Sequence, residues 1–224
     1  MIVPTMTLEE IALQYQGDMD NLLAKRYSLQ PKFSSLVKKS RRFPVVAQYE
    51  YISHKNHNRY FFNYSAQKRG EWNTPHCNVF CVFEKPEGKY AISSVNGGRL
   101  FIVFPPHFFI RYRERILKDD SIHGIDLIKR YFLANDRMIK EELTEAHTKA
   151  YKKYEKEDGS VQAARVAEGN IFLEVRLSSK IIMVRTIISD EMLYEDQKAA
   201  FGEMKETLDE IKDIKIYIDQ IRKK

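Results

Sequence analysis

Between Pro44 and Phe104 the chain carries five short runs rich in Val, Tyr, Phe and Ile, and this alternation of apolar runs with turn residues constrains the fold more than any other feature. The runs are Val45 to Ser53, Tyr60 to Ala66, Cys77 to Glu84, Lys89 to Val95 and Leu100 to Phe104. His54-Lys-Asn-His-Asn, Arg69-Gly-Glu-Trp-Asn-Thr-Pro, Lys85-Pro-Glu-Gly and Asn96-Gly-Gly separate them. β-Branched and aromatic residues suit a pleated, half-buried surface, whereas Gly, Asn and Pro supply the backbone angles of turns. The spacing predicts an antiparallel meander. Asn96-Gly-Gly is the strongest hairpin signal, because Asn and Gly tolerate positive φ.

Helical spacing flanks the meander. Thr7 reads as an N-cap, and Ile11, Tyr15, Met19, Leu22 and Leu23 recur at helical intervals, predicting a helix over residues 7–26. Pro31 then breaks the pattern, so Ser28 to Arg42 reads as a short helix or a loop. Pro105 and Pro106 end the sheet, and a helix is expected from His107 to about Leu117. A long helix is expected from about Gly124 to Tyr154. Strands follow at Ala163 to Ala167, Ile171 to Leu177 and Lys180 to Ile188, separated by turns at Glu168-Gly-Asn and Ser178-Ser and forming a late hairpin. Ser189 or Asp190 caps a C-terminal helix rich in acids and lysines. The fold class is therefore α+β, an antiparallel sheet made of a meander plus a late hairpin, packed by helices, with N- and C-terminal helices. Residues 1–195 form a single domain, with a helical, basic lead-in (1–43), the meander (44–104) and a helix-helix-hairpin region (105–195). A C-terminal helix spans 190–224.

A chain of 224 residues with 43% apolar content can bury about 70% of its unfolded surface. No signal peptide and no membrane span is expected. The only two cysteines, Cys77 and Cys81, lie on one strand about 13 Å apart, beyond the roughly 4.4–6.8 Å that a disulfide allows. Reduced thiols and a cytoplasmic setting are the expectation. The net charge is +6, and it is concentrated: from Lys25 to Arg69 there are eleven Lys or Arg against one acid, Glu50. Such a segment attracts polyanions or simply solvates a surface.

The segment from Pro105 to Leu117 carries the candidate chemistry. On a helical wheel with His107 at zero, Arg111 falls at about 40° and Arg115 at about 80°, while Phe108, Phe109, Tyr112 and Ile116 fall between about 100° and 200°. One side is apolar and the other is His-Arg-Arg. Pro106 suits the first turn, so His107 lies near a helix start whose free N–H groups favour anions. Two guanidiniums one turn apart can grip phosphate oxygens, and a neutral His beside them can move a proton. The plainer alternative is a surface helix whose arginines pair with Glu114 or other acids.

His-x3-Arg-x3-Arg at a helix start, followed by a hairpin ending in Val184-Arg-Thr-Ile-Ile-Ser189, resembles the small metal-independent ribonucleases of the RelE-like, barnase-like and EndoU-like group, which includes many toxin domains. The resemblance covers roughly residues 100–195. It implies that His107 is the general base or acid, that Arg111 and Arg115 clamp the scissile phosphate, and that Thr186, with Arg185 or Ser189 beside it, is the strand-borne phosphate ligand. The implied reaction is attack of an RNA 2′-hydroxyl on its neighbouring phosphate, with no metal and no cofactor.

Lys38, Lys39, Arg41, Arg42, Arg59, Arg113 and Arg185 are the expected further contacts to RNA or another nucleic acid. Tyr49, Tyr51, Tyr60, Phe61, Phe62 and Tyr64 either stack on unpaired bases or fill the core. His54, His57, His76, Cys77 and Cys81 are acceptable zinc ligand types, but the spacing matches no common module. No phosphate-binding Gly loop and no zinc-protease or serine-hydrolase motif occurs. The competing readings are a non-catalytic nucleic-acid-binding module and an interaction protein whose C-terminal helix recruits a protein partner.

Overall fold

The computed structural model describes residues 1–141, 159–176 and 180–193. Helix α1 spans Leu8–Lys39. Its start is a reciprocal cap: the Glu10 N–H donates to Thr7 Oγ1 at 3.2 Å and the Thr7 N–H to Glu10 Oε2 at 2.7 Å. The helix runs through Pro31 instead of stopping before it. Proline in a helix interior removes one bond and costs about 3 kcal/mol, but Leu29, Phe33 and Val37 continue the stripe of Ile11, Tyr15 and Leu22 and are all buried. Burying three more large apolar side chains, at roughly 1.5–3 kcal/mol each, outweighs the break.

The meander follows as expected, with β1 (Val45–Ile52), β2 (Arg59–Ala66), β3 (His76–Lys85), β4 (Gly88–Val95) and β5 (Leu100–Phe104). At the β4–β5 turn Asn96, Gly97 and Gly98 have φ of 51°, 66° and 84°, a run that explains why this turn is Asn-Gly-Gly. Helix α2 (Pro106–Tyr112) continues into a single wide π turn over Arg113–Leu117. The Lys118 N–H donates to the Arg113 carbonyl at 2.8 Å, and Lys118 itself sits at φ 52° and ends the helix.

Helix α3 spans only Gly124–Ala134, and Met138–Glu141 forms strand β6. The long helix to residue 154 is thus corrected as far as residue 141; the remainder lies outside the described residues. Asn135 makes the break: its backbone leaves helical angles (φ −115°, ψ 63°), and its side chain donates to the Tyr131 carbonyl at 3.1 Å and accepts the Glu168 N–H at 2.9 Å. Strands β7 (Gly159–Val166), β8 (Gly169–Arg176) and β9 (Ile181–Ile188) complete the fold. The expected C-terminal helix shows a short 3-10 turn at Asp190–Met192; its body lies outside the described residues.

Among the described residues, nine strands form one sheet in the order β1-β2-β3-β4-β5-β9-β8-β7-β6. Every pairing is antiparallel except β5 with β9, which joins the meander to the late hairpin. Side-chain alternation gives the sheet two buried faces. Tyr60, Phe62, Tyr64, Cys81, Ile92 and Val103 pack under α1, whereas Phe61, Phe80, Ala91, Ile102 and Phe104 pack under α2 and α3. The result is helix, sheet and helices in three layers. The sheet curls round α3 far enough for Ser65 of β2 to bond Asp136, two residues before β6.

A buried carboxylate ties α1 to the β1–β2 hairpin. Asp18 is fully buried and accepts from Ser53 Oγ (3.0 Å), Asn56 Nδ2 (3.0 Å), Asn58 Nδ2 (3.1 Å) and the Tyr60 hydroxyl (2.8 Å). Four donors compensate the desolvation of one charge. Among the described residues no helix is long and apolar enough to cross a membrane.

Candidate functional site

The rotation of α2 is fixed by its aromatic side. Phe108, Phe109 and Tyr112 are buried, and the rings of Phe108 and Tyr112 meet Tyr131 of α3 edge-on at centroid distances of 5.0 and 5.1 Å. The opposite side of the helix, carrying His107 and Arg111, is thereby turned to β9. This is the amphipathic division that the sequence expects.

Strand β9 has a special geometry where α2 meets it. Phe172 pairs with Thr186 and Leu173 with Val184, so Arg185 is an extra residue, a β-bulge. On its other edge β9 pairs with β5 only over Ile181 to Met183. Beyond Met183 that edge meets side chains of α2 and the π turn. The Arg185 carbonyl accepts from Arg111 Nη1 at 3.0 Å and from His107 Nε2 at 3.2 Å. Arg115 Nη1 donates to Thr186 Oγ1 and to the Ile187 carbonyl, both at 3.1 Å. His107, Arg111, Arg115 and Thr186 are therefore brought together. The same bonds give the row a structural task, since they satisfy strand carbonyls that no neighbouring strand reaches.

The His107 tautomer follows from its partner. A carbonyl only accepts, so Nε2 carries the hydrogen and Nδ1 is the basic nitrogen. Burial first, and then the Arg111 charge, lowers the His107 pKa below its ordinary 6.5, against an opposing pull from the Arg185 carbonyl. The imidazole is neutral at pH 7.

Beside Arg115 lies a cavity of about 340 Å³ lined by Lys118, Arg165, Glu168, Ser189, Asp190 and Glu191 among others. Its cations are answered by acids. Arg165, itself buried, is bound by both Asp190 oxygens. Glu168 accepts from Arg130 Nη2 at 2.7 Å, from Asn135 Nδ2 at 3.0 Å and from the Tyr112 hydroxyl. This Glu168 node holds the β7–β8 turn against α2 and α3. In the sequence Glu168 is legible only as a turn residue, because its partners lie 33 to 56 residues away.

The seven expected nucleic-acid contacts separate into two groups. Arg59 is held by Glu50 through both carboxylate oxygens, at 2.6 and 3.0 Å. Arg113 lies 3.3 Å from Asp120 and 2.6 Å from His123 Nδ1. Arg185 pairs with buried Glu174. By contrast, Lys38, Lys39, Arg41 and Arg42 are exposed at the end of α1, and among the described residues none of the four forms an ion pair. Lys38 Nζ sits 3.6 Å from the centre of the Trp72 ring.

The aromatic residues proposed above as base platforms are mostly core. Tyr60, Phe61, Phe62 and Tyr64 are buried, and the hydroxyls of Tyr60 and Tyr64 are taken by Asp18 and the Arg26 carbonyl. Tyr49 and Tyr51 are half-buried, and among the described residues the aromatic side chains most open to solvent are instead Tyr27 and Trp72, neither of which lies in the runs expected to stack. The one available signal was the solitary tryptophan in a turn bordered by Lys and Arg. Cys77 and Cys81 are free thiols, and burial pushes Cys77 up to about 11, so it stays protonated at neutral pH. No family model matches the chain, and no curated protein or solved structure matches it.

Proposed function

We propose that the α2–β9 face is the active site of a metal-independent endoribonuclease-like domain acting on RNA phosphodiesters. The observation that carries this reading is the convergence of His107, Arg111, Arg115 and Thr186 on the bulge at Arg185. His107, neutral at pH 7, takes the proton of a ribose 2′-hydroxyl on Nδ1. The 2′-oxygen then attacks the adjacent phosphorus, the bond to the 5′-oxygen breaks, and that oxygen takes a proton from water. The products are a cyclic 2′,3′-phosphate and a 5′-hydroxyl. Arg111 and Arg115 each spend one terminal nitrogen on β9, and their remaining N–H groups stabilise charge on the phosphoryl oxygens. Thr186 steadies Arg115 and offers its hydroxyl to the same phosphate.

A second reading is a non-catalytic nucleic-acid-binding module. It is favoured by the bonds that His107, Arg111 and Arg115 already make to β9, which give the row a purely structural explanation, and by the cations at the end of α1, which form no ion pair among the described residues. Incubation of the purified protein with end-labelled RNA in EDTA separates the two. Cleavage with cyclic phosphate ends supports the enzyme, and salt-sensitive binding of intact RNA supports the module.

A further inference from the structure

We propose that the groove between α1 and the Arg69–Trp72 turn is a stacking site for the bases of single-stranded RNA, with Trp72 and Tyr27 as platforms and the cations at the end of α1 as phosphate contacts. This rests on the nucleic-acid part of the reading above and is independent of cleavage at His107.

Trp72 is 40% exposed and Tyr27 is 69% exposed, and both line one open groove of about 580 Å³ together with Pro31, Ser34, Lys38 and Asn73. The turn that carries Trp72 is fastened down. Gln30 Nε2 donates to the Asn73 carbonyl at 2.9 Å, Arg69 Nη2 to the Ser40 carbonyl at 2.9 Å, and buried Glu71 accepts the Gln67 N–H at 2.8 Å. The indole is thus held at the surface by bonds on both sides of it in sequence. With the backbone of the turn fixed, a base that stacks on the indole has only to displace the Lys38 side chain lying over it.

Charge selects the occupant. Lys38 lines the groove, and Lys39, Arg41 and Arg42 follow it at the exposed end of α1; none of the four forms an ion pair among the described residues, and the one acid between Lys25 and Arg69, Glu50 of β1, is already paired with Arg59 of β2. Cations beside exposed aromatic faces match a polyanion that also carries planar rings, a single-stranded nucleic acid, which under the proposed function is RNA; a duplex hides its base faces. From Tyr27 to Lys38 is eleven helical residues, about 16 Å at 1.5 Å each, a span for a few nucleotides. Lys38, now over the indole, moves to a phosphate when a base takes its place.

The test uses the full chain and the emission of Trp72, its only tryptophan. Ten-nucleotide oligo-U and oligo-A in EDTA should quench that emission, while duplex RNA, inorganic polyphosphate and polyglutamate should not. With fluorescently labelled RNA, Trp72→Leu should weaken binding at least about five-fold, as expected for loss of one stacked base. Lys38→Met should reduce the salt dependence by about one phosphate contact. Unquenched emission on RNA binding, equal affinity of Trp72→Leu, equal quenching by polyphosphate or polyglutamate, or no RNA binding would each overturn the proposal. Cleavage of the same RNA is scored separately, so stacking and catalysis fail independently.

Discussion

Arg115 holds two consecutive residues of β9 with one nitrogen: its Nη1 lies 3.1 Å from the Thr186 hydroxyl and 3.1 Å from the Ile187 carbonyl. Together with His107 and Arg111 on the Arg185 carbonyl, it stands where the β5 partner of β9 has run out. The His-Arg-Arg row therefore both shapes the bulge and surrounds it with donors. Arg115→Met should destabilise the fold by about 1–2 kcal/mol, in line with charged hydrogen bonds at a half-buried site. Thr186→Val should cost less, and a double-mutant cycle in urea should show coupling between them.

The stability of this contact should depend on pH through His107. Its folded pKa lies below 6.5, with burial as the main cause. The unfolded chain therefore binds the proton more readily, and stability falls as pH drops below 6.5 towards the folded value. Urea titrations between pH 7.5 and 5 should show this loss, and His107→Gln, which keeps an N–H donor, should flatten it. An unchanged pH slope in His107→Gln would contradict the assignment.

Gly169 opens β8 where the backbone of β9 passes closest. A Cβ built there would stand 2.6 Å from the Ile188 carbonyl oxygen and 3.3 Å from Ile116 Cδ1. Gly169→Ala should cost about 1–3 kcal/mol through forced backbone displacement, read as a lower Tm.

Asp18 gathers four donors from the first hairpin. Asp18→Ala would leave the buried Ser53 and Tyr60 hydroxyls without this acceptor and weaken the hold on Asn56 and Asn58, at a cost of about 3–5 kcal/mol, whereas Tyr60→Phe removes one donor and should cost about 1 kcal/mol. Denaturant midpoints for the pair should rank in that order.

Pro31 interrupts the hydrogen bonding of α1 in its third quarter. Pro31→Ala should restore a bond and raise stability by about 1–3 kcal/mol. A fall in Tm would contradict the view that α1 tolerates this residue only because Leu29, Phe33 and Val37 are buried around it.

What was legible in the sequence was local. The five meander strands and the β7–β8 turn at Glu168-Gly169 declare themselves through turn residues, whose angles depend on nearest neighbours. The apolar and basic sides of α2 follow from spacing alone. The Pro31 break was overridden by burial of the residues after it, which a local propensity cannot weigh. Strand β6 reads as helix in the sequence because Met138 and Ile139 continue the helical spacing, and it is Asn135, bonded to Glu168 far along the chain, that stops α3. The β5–β9 parallel pairing joins residues eighty apart, and the bulge at Arg185 is met by His107 and Arg111, 78 and 74 residues earlier in the chain; no short motif marks either. The ion pairs that occupy Arg59, Arg113 and Arg185 join residues only seven to eleven apart, but each depends on a strand register or loop path that spacing alone does not fix; Glu50 and Arg59, for instance, are diagonal cross-strand neighbours on one hairpin.

The most direct measurement of the central claim is the chemistry of RNA ends after incubation with the purified chain in EDTA at pH 7. The account predicts 2′,3′-cyclic phosphate and 5′-hydroxyl ends from the wild type, loss of cleavage by at least about a hundred-fold in His107→Ala, and retained folding of that variant by circular dichroism. Intact RNA with the wild type, or equal cleavage by folded His107→Ala, would contradict it.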